Sequence, residues 1–166
     1  SPSGFELALL QPGSLGQLTV RPHLLRSCTS PHAGAICTVH AAALNFRDVL
    51  NVLGLDPTGL ARPIGGECAG LVEHTGRLVA HLTSRERCYG LVPGGVRSTA
   101  VVAEARYVGR APAAMALEEA VSLPVVWITA HYSLGDARLR SRQRVFIHGA
   151  SGGVGMIAMQ LVRRAS

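Results

Sequence analysis

A chain of 166 residues that is 48% hydrophobic and 16% charged can bury a sizeable core, which excludes intrinsic disorder and points to one domain plus part of another. All sixteen basic residues are Arg, against three Asp and seven Glu, so the net charge of +6 reads as compositional bias rather than as a nucleic-acid surface. Aromatic residues make up only 4%, which argues against a base-stacking platform, and no apolar run approaches the roughly eighteen residues of a membrane span.

The first residues, Ser1 to Leu10, lack the basic start and apolar stretch of a secretory signal. Cysteines at 28, 37, 68 and 88 form no Cys-x-x-Cys pair, a spacing that suits reduced, partly buried thiols. A cytoplasmic location and no membrane association are expected.

In chain order, Leu18 to Pro22 and Ala35 to His40 alternate as strands, the second placing Ile36 and Thr38 on one face and Cys37 and Val39 on the other. Asn45 to Leu50 changes period and predicts a short helix ended by Gly54. Cys68 to Val72 and Leu78 to Ala80 read as strands about a His74-Thr75-Gly76 turn. Pro93-Gly94-Gly95 predicts a hairpin between Tyr89–Val92 and Ser98–Val102. Strands this closely spaced predict a small β-barrel or sandwich.

From about Pro112 the pattern turns helical, first over Met115 to Leu123, then from Pro124 to a stop at Gly135. Val145 to His148 reads as a strand, and Gly149 to Gly155 as a turn. The helix that follows carries Val154, Ile157, Ala158, Leu161 and Val162 on one apolar stripe. The predicted fold is mixed: a β-rich domain over residues 1–118, then the opening βα unit of an α/β domain over residues 119–166. One strand and one helix make no parallel sheet, so this unit is expected to be completed by more chain or by a neighbour.

The glycine turn is the principal motif. Ala150-Ser151-Gly152-Gly153-Val154-Gly155 follows a strand and opens a helix, the context in which small residues admit a pyrophosphate to free helical amides. A tight strand-to-helix turn without a ligand has the same composition. Two rival constellations are weaker. Cys28, His32, Cys37 and His40 have zinc-ligand types, but Cys37 and His40 lie at odd separation in one strand, so no metal site is expected. Arg138, Arg140, Arg142 and Arg144, at period two, would face one way if extended, although a solvated connector is the simpler reading. The other histidines, 23, 74, 81, 131 and 148, have no partner at a recognisable spacing.

His148 to Met156 with Gln160-Leu161 resembles the cofactor motif of zinc-free medium-chain dehydrogenase/reductases. Leu44-Asn45-Phe46-Arg47-Asp48-Val49-Leu50 with Gly54, Gly66 to Val72, and Leu123 to Ala130 resemble, in order, the enoyl reductase domains of modular polyketide synthases and animal-type fatty acid synthases. The resemblance implies a GroES-like β-barrel followed by a Rossmann domain. It also implies hydride transfer from NADPH to an α,β-unsaturated thioester on an acyl carrier protein, within a multidomain synthase. Asn45 and Thr129 would line the nicotinamide, and Ala150, Ser151, Gly152, Gly153, Val154 and Gly155 would hold the pyrophosphate. Asn45 could instead cap its helix, and Thr129 could be a packed helix residue.

The departures concern protonation. Where family members often carry Tyr-Pro, this chain has Asp56-Pro57, and a solvated, ionised Asp in a turn is a poor acid. The alternative donor in the family is a Lys, and the chain has none. Arg85-Glu86-Arg87-Cys88 stands where the family has Gly-Asp-Arg-Val. The 166 residues alone are expected to be inactive. A free-standing quinone or enal reductase and a non-catalytic remnant of a synthase are the alternatives.

Overall fold

A computed structural model describes residues 3–24, 32–138 and 142–165, which form two compact units, Ser1–Val121 and Ser122–Ser166. The first unit is built on strands. An antiparallel ribbon joins β1 (Ser3–Leu9) to β2 (Leu18–Leu24) in unbroken register, from Ser3 opposite Leu24 to Leu9 opposite Leu18. The larger sheet holds β3 (Ala35–Ala43), β4 (Glu67–Thr75), β5 (Arg87–Leu91), β6 (Thr99–Val102) and β7 (Val108–Arg110) in the order β6-β3-β4-β5-β7. Helix α1 (Phe46–Val52) lies between β3 and β4, and a single turn, α2 (Leu117–Ala120), closes the unit.

The core of this unit is made of small and branched side chains. Cys37, Val72, Leu82, Cys88 and Val102 are buried together, with Val39 packed against them. Cys37 and Val39 thus share a face as the alternation predicts, but Ile36 is buried too. β3 lies between β4 and β6, and its pairing with β4 shifts at Ile36/Cys37 and again at Val39/Ala41. Such irregularities re-aim side chains that strict alternation would place.

Several predicted elements come out differently. Pro93-Gly94-Gly95 makes no hairpin, because β6 pairs with β3 and β5 pairs with β4 and β7. The amides of Gly94 and Gly95 donate instead to the Gly65 carbonyl, at 2.7 and 3.1 Å, which carries the chain across the sheet. Leu78 to Ala80 is a turn, with the Leu78 amide on the His32 carbonyl and the Val79 amide on that of Gly76. The Met115–Leu123 helix shrinks to the single turn of α2. Its Ala116 amide donates to the Glu119 carboxylate at 3.0 Å.

The described helices of the second unit are α3 (Pro124–Asp136) and α4 (Gly153–Ala165). α3 opens on Pro124, as predicted, but continues through Gly135 to Asp136. Val145 to His148 is not a strand. A strand requires a neighbour for its backbone N–H and C=O groups, and none exists among the described residues of this unit. Phe146 is accordingly 90% exposed. Among the described residues, no helix is long and apolar enough to cross a membrane.

Leu82 is among the largest fully buried side chains. Leu82→Ala should cost about 3 kcal/mol of stability, as a shift in the denaturation midpoint at constant m-value.

Candidate cofactor site

Asn45 stands at the start of α1 as its N-cap. Its backbone is extended (φ −107°, ψ 159°), and its Oδ1 accepts from the Arg47 amide at 3.2 Å. Asp48, three residues on, returns the interaction: its Oδ2 accepts from the Asn45 amide at 2.7 Å. This reciprocal capping box satisfies donors that a helix start otherwise leaves open. The side chain is therefore half-buried, with its oxygen committed to the cap and Nδ2 as the atom it can turn to a ligand.

The segment after α1 is bound to the helix by polar groups. Asn51, 2% exposed, accepts from the Arg62 amide at 3.0 Å and donates to the Arg62 carbonyl at 2.9 Å. Asp56 is not the solvated turn residue expected from sequence, because its side chain is only 3% exposed. Oδ1 accepts from the Thr58 amide at 2.9 Å and the Thr58 hydroxyl at 2.5 Å. Oδ2 lies 3.3 Å from Arg47 Nε and 3.4 Å from Arg62 Nε. The hydrogen bonds from Thr58, with one from Arg47 and the nearby charge of Arg62, hold its carboxyl down at a pKa of about 2. Asp56 is an ionised anchor and has no proton to give.

In the second unit, Thr129 is exposed on α3, near a stacked Trp127–His131 pair with ring centroids 4.9 Å apart. The glycine turn sorts its residues by what the backbone demands. Gly149 adopts φ +69°, the left-handed region that favours glycine. Gly155 is buried, and a Cβ there would lie 2.6 Å from Ala150 Cα, so the turn and α4 could not close on each other. Gly152 differs: a Cβ would meet nothing nearer than the Gly149 carbonyl at 3.4 Å. The protein itself does not require glycine at 152. Ser151, Gly152 and Gly153 are exposed, Ala150 is partly covered, and Val154 is 38% exposed at the first turn of α4. No acidic side chain stands in that turn.

The weaker constellations dissolve. Cys37 lies 3.5 Å from Cys88, sulfur to sulfur, in the core, whereas His40 is exposed. Cys28 lies outside the described residues. The Cys37 thiol is pushed up by its hydrogen-bonded neighbour Cys88 and by burial, and burial raises Cys68 to about 12, so both stay protonated. Arg138 and Arg142 have φ of 47° and 66°, which breaks the extended geometry a common face would need; Arg140 lies outside the described residues. His81 is a packing residue, with Nε2 3.1 Å from the carbonyls of both Ala105 and Val108. His23 lies 3.4 Å from Glu6.

No family model matches the chain. The pikromycin polyketide synthase component PikAII of Streptomyces venezuelae is 40% identical over 155 residues, 91% of this chain and 4% of that protein. The CurK enoyl reductase has 32% identity and a TM-score of 0.88, over 98% of this chain and 52% of that one. The chain belongs to the enoyl reductase domains of polyketide synthases. It spans a few per cent of the synthases it matches and about half of the solved enoyl reductases. An ER cyclopropanase, CurF, from curacin A biosynthesis has 28% identity and a TM-score of 0.82, over 99% of this chain and 52% of that one. In this enoyl reductase family the first unit is GroES-like and the second opens a Rossmann fold, within the medium-chain dehydrogenase/reductases.

Sequence reasoning missed Asp48, Asn51 and Gly65 as parts of the site. The Asn-x-x-Asp spacing from Asn45 to Asp48 was the available signal, since it is that of a capping box. Because the folded pKa of Asp56 lies below its ordinary 3.8, the stability it contributes is present above about pH 4 and is lost as pH falls towards 2. The stability difference between the natural protein and Asp56→Asn should therefore shrink across that window in acid denaturation titrations.

Proposed function

We propose that this chain is the GroES-like unit and the opening of the cofactor unit of an enoyl reductase domain that uses NADPH. Its substrate would be an α,β-unsaturated acyl thioester carried on an acyl carrier protein, within a synthase that holds the other domains in the same polypeptide. When bound, NADPH supplies the hydride for the β-carbon of the thioester. The observation that carries the reading is the contrast within the glycine turn. Gly149 and Gly155 serve the protein's own geometry, whereas Gly152 leaves clear a space the protein does not use, as close approach of a pyrophosphate requires.

In this reading Ala150 to Gly155 hold the pyrophosphate, with the α4 amides at Gly153 and Val154 as donors to the anion. Asn45 and Thr129 line the nicotinamide, Asn45 through Nδ2. Asp56, ionised between Arg47 and Arg62, gives no proton, so α-carbon protonation falls to a group outside these residues or to water. The 166 residues alone would not turn over.

Two measurements test this. The natural polypeptide carrying this sequence should consume NADPH with a short enoyl thioester, and absence of consumption and of NADPH binding would favour a structural role. Gly152→Val should abolish NADPH binding with an unchanged melting temperature. Gly155→Ala should instead destabilise by about 1–3 kcal/mol, since the added methyl has no room.

A further inference from the structure

Helix α1 is inside-out. Its outward positions Phe46 and Val49, and the capping Leu53 at its end, are 72%, 47% and 42% exposed, while Asn51 is buried and Asp48 half-buried. Of its own residues only Asn51 and Val52 are buried. Apolar packing therefore does little to seat this helix, and hydrogen bonds must locate it. Asp48 makes two of them from one carboxylate. Oδ2 accepts from the Asn45 amide, and Oδ1 accepts from the Gly65 amide at 2.9 Å.

Gly65 is itself fixed. It has φ +84°, its carbonyl accepts from both Gly94 and Gly95, and an added Cβ would lie 2.8 Å from Val96 Cγ2. The carboxylate of Asp48 thus ties the helix cap to a turn locked onto the loop between β5 and β6. The same carboxylate closes the capping box that holds Asn45 Oδ1 on the Arg47 amide, and so sets where Asn45 Nδ2 points.

We infer that Asp48 is a positioning residue of the cofactor site, acting through Asn45 by anchoring the cap to Gly65. The inference rests on the reading that Asn45 lines the nicotinamide. Asp48 touches neither cofactor nor substrate. Its contribution is orientation, which governs reaction from bound cofactor more than binding, because the pyrophosphate turn is a separate element.

The test is a double-mutant cycle in the natural polypeptide, with NADPH and a short enoyl thioester. Asp48→Asn replaces one acceptor by a donor facing an amide. It should lower kcat about tenfold, the scale of one charged hydrogen bond, with the KM for NADPH within about twofold. In an Asn45→Ala background the same change should have no further effect on kcat, because the residue it positions is gone. A role confined to fold stability would lower the melting temperature and the active fraction equally in both backgrounds. An unchanged kcat in Asp48→Asn, or a full additional loss in the Asn45→Ala background, overturns the inference and leaves the functional reading standing. A neutral Asn45→Ala overturns the nicotinamide assignment and the inference with it. Should Asp48→Asn fail to fold, Asp48→Glu serves the same cycle, since it keeps a carboxylate for the Asn45 amide while displacing the contact to Gly65.

Discussion

The organisation of the first unit around Asn45 depends on three polar side chains, Asp48, Asn51 and Asp56, that tie α1 to the segment running from residue 56 to 65. Each is satisfied by named partners: the Asn45 and Gly65 amides, the Arg62 backbone, and Thr58 with two guanidinium groups. Fully partnered polar groups of this kind specify one arrangement, because any slip leaves a desolvated donor or acceptor behind. That trade-off explains how a seven-residue helix with an apolar outer face holds a single position.

The second unit works under the opposite constraint. Its two helices bury only a few small residues, among them Ala130 and Ala158, while Trp127, Ile128 and Tyr132 remain exposed on α3. Its would-be strand has apolar side chains at Val145, Phe146 and Ile147 but no ladder to join among the described residues. Helices satisfy their backbone internally and form without neighbours; strands do not. The same residues therefore yield α3 and α4 as expected, yet leave Val145 to His148 irregular.

Much of the molecule was legible in sequence, for reasons that separate local from distant effects. The boundaries of α1, the opening of α3 at Pro124 and the helix after the glycine turn follow from caps, proline and periodicity. The Pro93-Gly94-Gly95 hairpin fails because turn chemistry describes the bend and not the destination, which is decided by the Gly65 carbonyl almost thirty residues away. The burial of Asp56 fails for the same reason: Arg47 and Arg62 flank it only once α1 and the 56–65 segment are in register. At Asn45 both readings have physical content, since one atom of the amide caps the helix and the other remains for a ligand. The motif does not show which of its glycines the protein itself needs; the structure does, with no room for a Cβ at Gly155 and an open position at Gly152.

The anchor at Asp56 has a consequence for how the protein meets its surroundings. Both of its cationic partners are guanidinium groups, which keep their protons at any pH a folded chain tolerates. Ammonium groups in their place would discharge in alkali. Its carboxylate is shielded from water, so dissolved ions screen it less than they would a pair in the open. The junction is thus built to withstand base and moderate salinity, and acid is the one common stress that reaches it.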